Sequence, residues 1–332
     1  MSLRRSALLV CILLVATAAC GDDGTTLTVY SGRTQELVEP LLDQFTAATG
    51  IELEVRYAGS TDLAATLREE GANSPADVFF AQDPASLGAV AEAGLFTTLP
   101  QQILDLVPDR FSDDGGFWVG TSGRARVVVY DASRVSASDL PDDVYGFASQ
   151  QWAGRIGIAP SNGSFLAFVA AMIVMDGEDA TRTWLEGLAA NTPGKYPKNS
   201  PIVAAVDGGE IEVGLVNHYY LLRLQDEQGD TAATNHFLAS SGPGSLIMPA
   251  GAGILSTSDN MTAAGQLIEF LLSAEAQTYF ANETFEYPLV SGIPAIAGLP
   301  SIETIGAPDL DLSGLAEALD LATDLVAAAG LL

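Results

Sequence analysis

The chain has 332 residues and a formal charge of −28, set by 42 acidic against 14 basic side chains, with Lys195 and Lys198 its only lysines. So acidic a protein disfavours nucleic acid and anionic membrane surfaces as partners, because both repel it. Its cysteines, Cys11 and Cys20, both stand near the start, and its histidines are His218 and His236 alone, too few for a disulfide framework or a multi-histidine zinc site.

The opening "MSLRRSALLVCILLVATAAC" sets Arg4 and Arg5 before an apolar run and a small-residue stretch, the layout of an export signal over residues 1–20. Its end, "TAAC", suits lipoprotein processing, with Cys20 as the acylated first residue. A membrane-spanning anchor fits less well, because the run is short for a bilayer. Residues 21–26 read as a short tether.

"TLTVYSG" then predicts a strand, and Leu37, Leu41, Leu42 and Phe45 fall at helical spacing before the stop at Gly50. "IELEVRYAG" alternates as a strand, "STDLAATLREEG" starts a helix near Ser60 to Asp62, "ADVFFAQ" is a short apolar strand and "DPASLGAVAEAG" is helical. The rhythm resumes with strands in "RARVVVYD" and "GRIGIAP", helices through Met175 and over "DATRTWLEGLAAN", and "GEIEVGLVNHYYLLRLQDE" as a strand passing into a helix. "GSLIMPAGAGIL" predicts a strand pair interrupted by Pro249 and Gly251, followed by a helix over 263–273, and the Ala-rich residues 315–332 predict a packed terminal helix.

Strands alternating with helices in two blocks, with a late segment returning to the first, predict an α/β clamshell whose lobes are joined by hinge strands. The amino-terminal lobe is expected to be discontinuous, residues 27–123 with 250–300, and the carboxy-terminal lobe to comprise 126–249 with 301–332. Ligand is expected in the crevice outside the carboxyl ends of the strands.

No GxSxG elbow, P-loop lysine motif, HExxH or dinucleotide glycine fingerprint occurs, and Ser164 has no identifiable base partner, so nothing points to an enzyme. The loop "APSNGSF" sets Ser161, Asn162, Gly163 and Ser164 between a strand and a helix. Such a place suits an anion, and it equally suits a simple helix cap. Tyr219 and Tyr220 close a strand at the crevice side. Two phenolates there are strong oxygen donors for a hard trivalent cation, while the alternatives are one core and one surface aromatic, or a pair stacking on a ligand. His218 beside them reads as a packed histidine rather than a ligand.

The segments "LTVYSGR", "EEGANSPADVFFAQDPASL", "SGRARVVVYD", "YPKNSPIVAAVDGGEIEVGLVNHYY" and "YPLVSG", in this order, resemble the periplasmic ferric-ion-binding proteins, the solute-binding subunits of iron(III) ABC transporters. The resemblance implies a type II-like periplasmic-binding-protein clamshell that holds Fe(3+) through Tyr219 and Tyr220, with phosphate or carbonate as synergistic anion. It assigns the anion to Asn162, Gly163 and Ser164, with Ser161 alongside, and adds Asn199, Asn217 and Arg124, whose planar fork matches an oxyanion.

Two positions depart from the family pattern. Thr34 stands where its best-known branch has a histidine and Gln82 where that branch has a glutamate, which leaves the amino-terminal lobe a neutral ligand set. Asp83 is a candidate substitute carboxylate, and Arg33 a positive charge near the crevice mouth. The resemblance further implies a lipid-tethered, extracytoplasmic monomer that delivers a small ion to a permease and ATPase. Another small anion or organic solute, or a sensory or adhesive lipoprotein, are the competing readings.

Overall fold

In the computed structural model, which describes residues 25–308, 310, 312 and 314–332, β1 (Thr26–Ser31) runs into α1 (Gln35–Thr49), and a left-handed Gly50 at φ 74° ends that helix. The export signal, Cys20 and most of the tether lie outside the described residues. β2 (Glu52–Tyr57), α2 (Ser60–Glu70), β3 (Val78–Ala81), α3 (Pro84–Glu92) and the single turn α4 (Gln101–Leu104) continue the alternation. β1 pairs in parallel with β2 on one side and β3 on the other. β2 is the outer strand and buries only partly, whereas β3 is buried throughout.

The second block contains β5 (Ile156–Ile158), α5 (Gly163–Asp176), α6 (Glu178–Ala190), β6 (Gly194–Lys195), α7 (Asn199–Asp207), β7 (Val213–Asn217), α8 (Tyr219–Gln228) and β8 (Ala233–His236). Here β5 lies parallel to both β6 and β7. α5 is apolar on every side, as its place between other elements requires, and Phe165, Phe168 and Met172 are all buried.

Two long strands join the blocks. β4 (Val119–Asp131) is buried along its whole length; up to Ala125 it pairs with β9 (Ile247–Ile254), and from Arg126 onward with β7. β4 therefore passes from one half of the sheet to the other between Arg124 and Arg126. All pairings of β4 and β9 in the middle of the sheet are antiparallel, which makes the whole sheet mixed.

The strand pair expected around Pro249 is instead one continuous strand. Pro249 lies beyond the end of the β3 ladder, which begins at Gly251, so a missing N–H is tolerated there. The glycines serve close approach: a Cβ on Gly251 would stand 2.7 Å from the Val119 carbonyl oxygen, and one on Gly253 2.8 Å from that of Phe117.

α9 (Met261–Leu271), α10 (Ala274–Asn282) and β10 (Tyr287–Pro288), which pairs with β4, follow. α11 (Leu315–Ala328) packs against both α3 and α5, and so ties together two helices whose amino ends face one cavity. Among the described residues no helix is long and apolar enough to cross a membrane.

Candidate functional site

The cavity, of ≈370 Å3, has one wall made by the start of α2 (Gly59 to Asp62) with Gln82 and Asp83, and a facing wall made by Ser161 to Ser164. Arg124, on β4, lines it between the two. Three helices, α2, α3 and α5, thus begin at this cavity, and the free amides of helix starts favour negative charge.

Asn162 is the N-cap of α5. Its Oδ1 accepts from Ser164 N–H at 3.1 Å, from Ser164 Oγ at 2.6 Å and from Asn199 Nδ2 at 3.3 Å. Asn199, the buried first residue of α7, also donates to Ser164 Oγ at 3.2 Å. The cap is therefore made, and the asparagine pair fixes the loop. Gly163 meets nothing within 4 Å at its Cβ position, which leaves its backbone open to approach.

Arg124 is 1 % exposed. Its Nη2 donates to the Gln82 carbonyl and, at 3.3 Å, to that of Pro249, while Nε and Nη1 have no partner among the described residues. Buried guanidinium N–H groups without acceptors are costly, so a site for an oxyanion is the natural complement. Arg126, two residues on, was not singled out in the sequence, although the i, i+2 spacing on a strand gives both arginines one face. It donates from Nη1 to Asn217 Oδ1 at 3.2 Å and lies 4.7 Å from the Phe168 ring centroid; its Nη2 has no partner among the described residues. Burial pulls its pKa down to about 10, against the pull of Tyr220 and with the repulsion of Arg124. Asn217 thus holds Arg126 and does not reach the loop.

Tyr219 and Tyr220 open α8, with His218 alone between them and the end of β7. Their rings stack with centroids 4.2 Å apart at 29°. Tyr219 is 3 % exposed, and burial, then the neighbouring Tyr220, push its phenol well above the ordinary value despite Arg124. In this structure neither tyrosine lines the cavity, although Tyr219 feels the charge of Arg124. His218 is packed: Ala125 N–H donates to its Nδ1 at 3.1 Å, which makes Nε2 the donor to the Phe285 carbonyl at 2.8 Å. Burial lowers its pKa to about 4, so the ring is neutral.

The amino-terminal candidates divide. Gln82 lines the cavity, and its backbone N–H donates to Ser60 Oγ at 2.8 Å. Thr34 is exposed at the start of α1, makes no cap bond and does not line the cavity. Asp83 is not a mobile carboxylate: it caps α3, accepting from Ser86 N–H at 2.8 Å and Ser86 Oγ at 3.1 Å, and burial raises its pKa against those bonds. Arg33 is not a free charge at the mouth. It is 4 % exposed and closed on Glu286, with Nη2 to Oε2 at 2.7 Å. The Arg33 pairing was not visible from local sequence, since its partner stands 253 residues away.

Among the described residues no three His, Cys, Asp or Glu side chains converge as a metal cluster. Residues 73–300 match the family model for a bacterial extracellular solute-binding protein. The chain is 36% identical to the major ferric iron-binding protein of Neisseria meningitidis serogroup A over 98% of both chains, and 30% identical to the Fe(3+)-binding periplasmic protein of Serratia marcescens over 90% of this chain and 89% of that one. The crystal structure of iron-bound HitA from Pseudomonas aeruginosa superimposes with a TM-score of 0.88 at 33% identity, over 92% of this chain and 100% of HitA.

Proposed function

The chain belongs to the ferric-iron-binding group of the bacterial extracellular solute-binding proteins, and from that premise we propose that it captures Fe(III) with a synergistic oxyanion outside the cytoplasm and hands it to an ABC permease. The observation that carries this reading is the stacked Tyr219–Tyr220 pair near Arg124, a residue that lines the same cavity as the Asn162–Ser164 loop and whose buried Nε and Nη1 have no partner among the described residues.

Each part has a physical role. The incoming trivalent cation would displace the phenol protons to solvent as the Fe–O bonds form, which offsets the burial that otherwise keeps Tyr219 protonated. Phosphate or carbonate, seated on Gly163 N–H and Ser164 and forked by Arg124, neutralises the guanidinium and fills metal positions that the protein leaves open. Lobes divided near the β4 crossing, roughly 27–123 with 250–300 and 126–249 with 301–332, close over the loaded site, and the closed form is what the permease recognises. Acylation of Cys20 holds the monomer at the membrane; no bond in the cargo is broken.

Ferric titration of the purified protein, with and without phosphate or carbonate, tests the reading. A visible phenolate-to-iron charge-transfer band is expected, strongest with anion and lost when both Tyr219 and Tyr220 become Phe. No band in any buffer sinks it. The two unpartnered nitrogens of Arg124 favour one second reading, an anionic solute bound without metal; stabilisation by anion alone, undiminished by the double Phe change, would select it.

A further inference from the structure

We infer that Asp62, on the first turn of α2, is the carboxylate that the amino-terminal lobe gives to the captured cation. The inference rests on the ferric reading above. Two phenolates leave a trivalent ion short of negative charge, and the family position for a carboxylate holds the neutral Gln82. The nearby acids are otherwise engaged: Asp83 caps α3, and Glu286 is closed on Arg33.

Asp62 differs from both. It is exposed, it lines the same cavity as Gln82 and Arg124, and its carboxylate has no hydrogen-bond partner among the described residues. Gly59 makes its position available: a Cβ there would stand 3.0 Å from Asp62 Oδ2, so the absent side chain lets the carboxylate fold back over the helix start. Ser60 Oγ accepts the Gln82 N–H at 2.8 Å, which pins this turn of α2 to the loop where the family carboxylate would sit. The charge missing at Gln82 is thus supplied by a neighbouring element of the same wall.

The test compares purified wild type, Asp62→Asn, Gln82→Glu and the double variant, each loaded with Fe(III) and phosphate and then challenged with excess citrate. In Asp62→Asn iron is expected to leave roughly tenfold faster or more, and the charge-transfer band to move to longer wavelength, because losing an anionic donor makes the ferric ion a better electron acceptor. Gln82→Glu alone should retain iron longer, and in the double variant it should restore both band position and retention. The melting temperature of the iron-free form should fall only slightly, by the small helix-start stabilisation that an exposed first-turn acid supplies.

An unmoved band and an unchanged release rate in Asp62→Asn, with wild type coloured, overturn the role of Asp62 and leave the ferric reading standing. Faster release with an unmoved band, not rescued by Gln82→Glu, overturns it in favour of an effect on lobe closure. A colourless wild type removes both.

Discussion

Arg33 and Glu286 form an enclosed ion pair, Nη2 to Oε2 at 2.7 Å, with the two side chains 2 % and 1 % exposed. Ser122 Oγ donates to the same oxygen at 2.7 Å and accepts from Arg33 Nη1 at 3.2 Å, so the end of β1, the middle of β4 and the approach to β10 meet at one carboxylate. Burial alone would raise the Glu286 pKa, but the charges of Arg33 and Arg124 and the bonds from Arg33 and Ser122 outweigh it and hold it below the usual glutamate value.

Glu286→Gln should therefore cost about 3–5 kcal/mol, because it leaves Arg33 buried without its counter-charge. Urea denaturation at neutral pH measures this, and a loss under about 1 kcal/mol would mean the pair is not enclosed in solution. The pH dependence follows from the sign of the shift. A glutamate with a depressed folded pKa contributes its full stability above the unfolded value and loses it as pH falls through the folded one. Wild type should weaken in that acid range, and Glu286→Gln should lack this part of the slope.

Much of the alternation was legible because burial on a sheet or helix face imposes a period, and α1, α2, β3, α3, α5 and α8 lie where apolar spacing put them. The strap α11 was visible as a helix, though not its double seat on α3 and α5. What escaped depended on distance or on backbone approach. Arg33 reads as a surface charge until Glu286 is brought to it. Asp83 could have been identified from "DPAS", an acid before Pro with Ser86 three residues on, which is a helix-start signature. Asp62 gave no sign at all, since an acid on the first turn of a helix is ordinary.

Gly251 offers a check on why β9 is one strand. A Cβ there would meet the Val119 carbonyl oxygen at 2.7 Å, a backbone atom that cannot rotate away. Gly251→Ala is expected to destabilise by about 1–3 kcal/mol through forced separation of β4 and β9. Gly265→Ala, on α9 with nothing within 4 Å of its Cβ position, should be neutral or stabilising. Equal midpoints for the two variants in denaturant would show that the strands part easily.

Asn162 separates the cap from the anion site. Because its Oδ1 takes Ser164 N–H, Asn162→Ala should cost about 1 kcal/mol of stability whatever the loop binds. If the loop also seats the anion, iron affinity should fall further in phosphate than in anion-free buffer, since Ser164 and Asn199 lose their common acceptor. Equal affinity losses in every buffer would leave the loop as a helix cap only.

Arg124→Lys asks whether the buried guanidinium serves the anion. Lysine keeps the charge but not the planar fork, so it cannot present two parallel N–H groups to one oxyanion. The unpartnered Nε and Nη1 are the groups lost, and a charge-assisted hydrogen bond contributes about 1.5–3 kcal/mol. The enhancement of iron binding by phosphate or carbonate should therefore shrink by roughly one to two orders of magnitude, while binding without anion changes little. If the enhancement survives intact, Arg124 acts only through the Gln82 and Pro249 carbonyls that its Nη2 holds, as a brace across the β4 crossing.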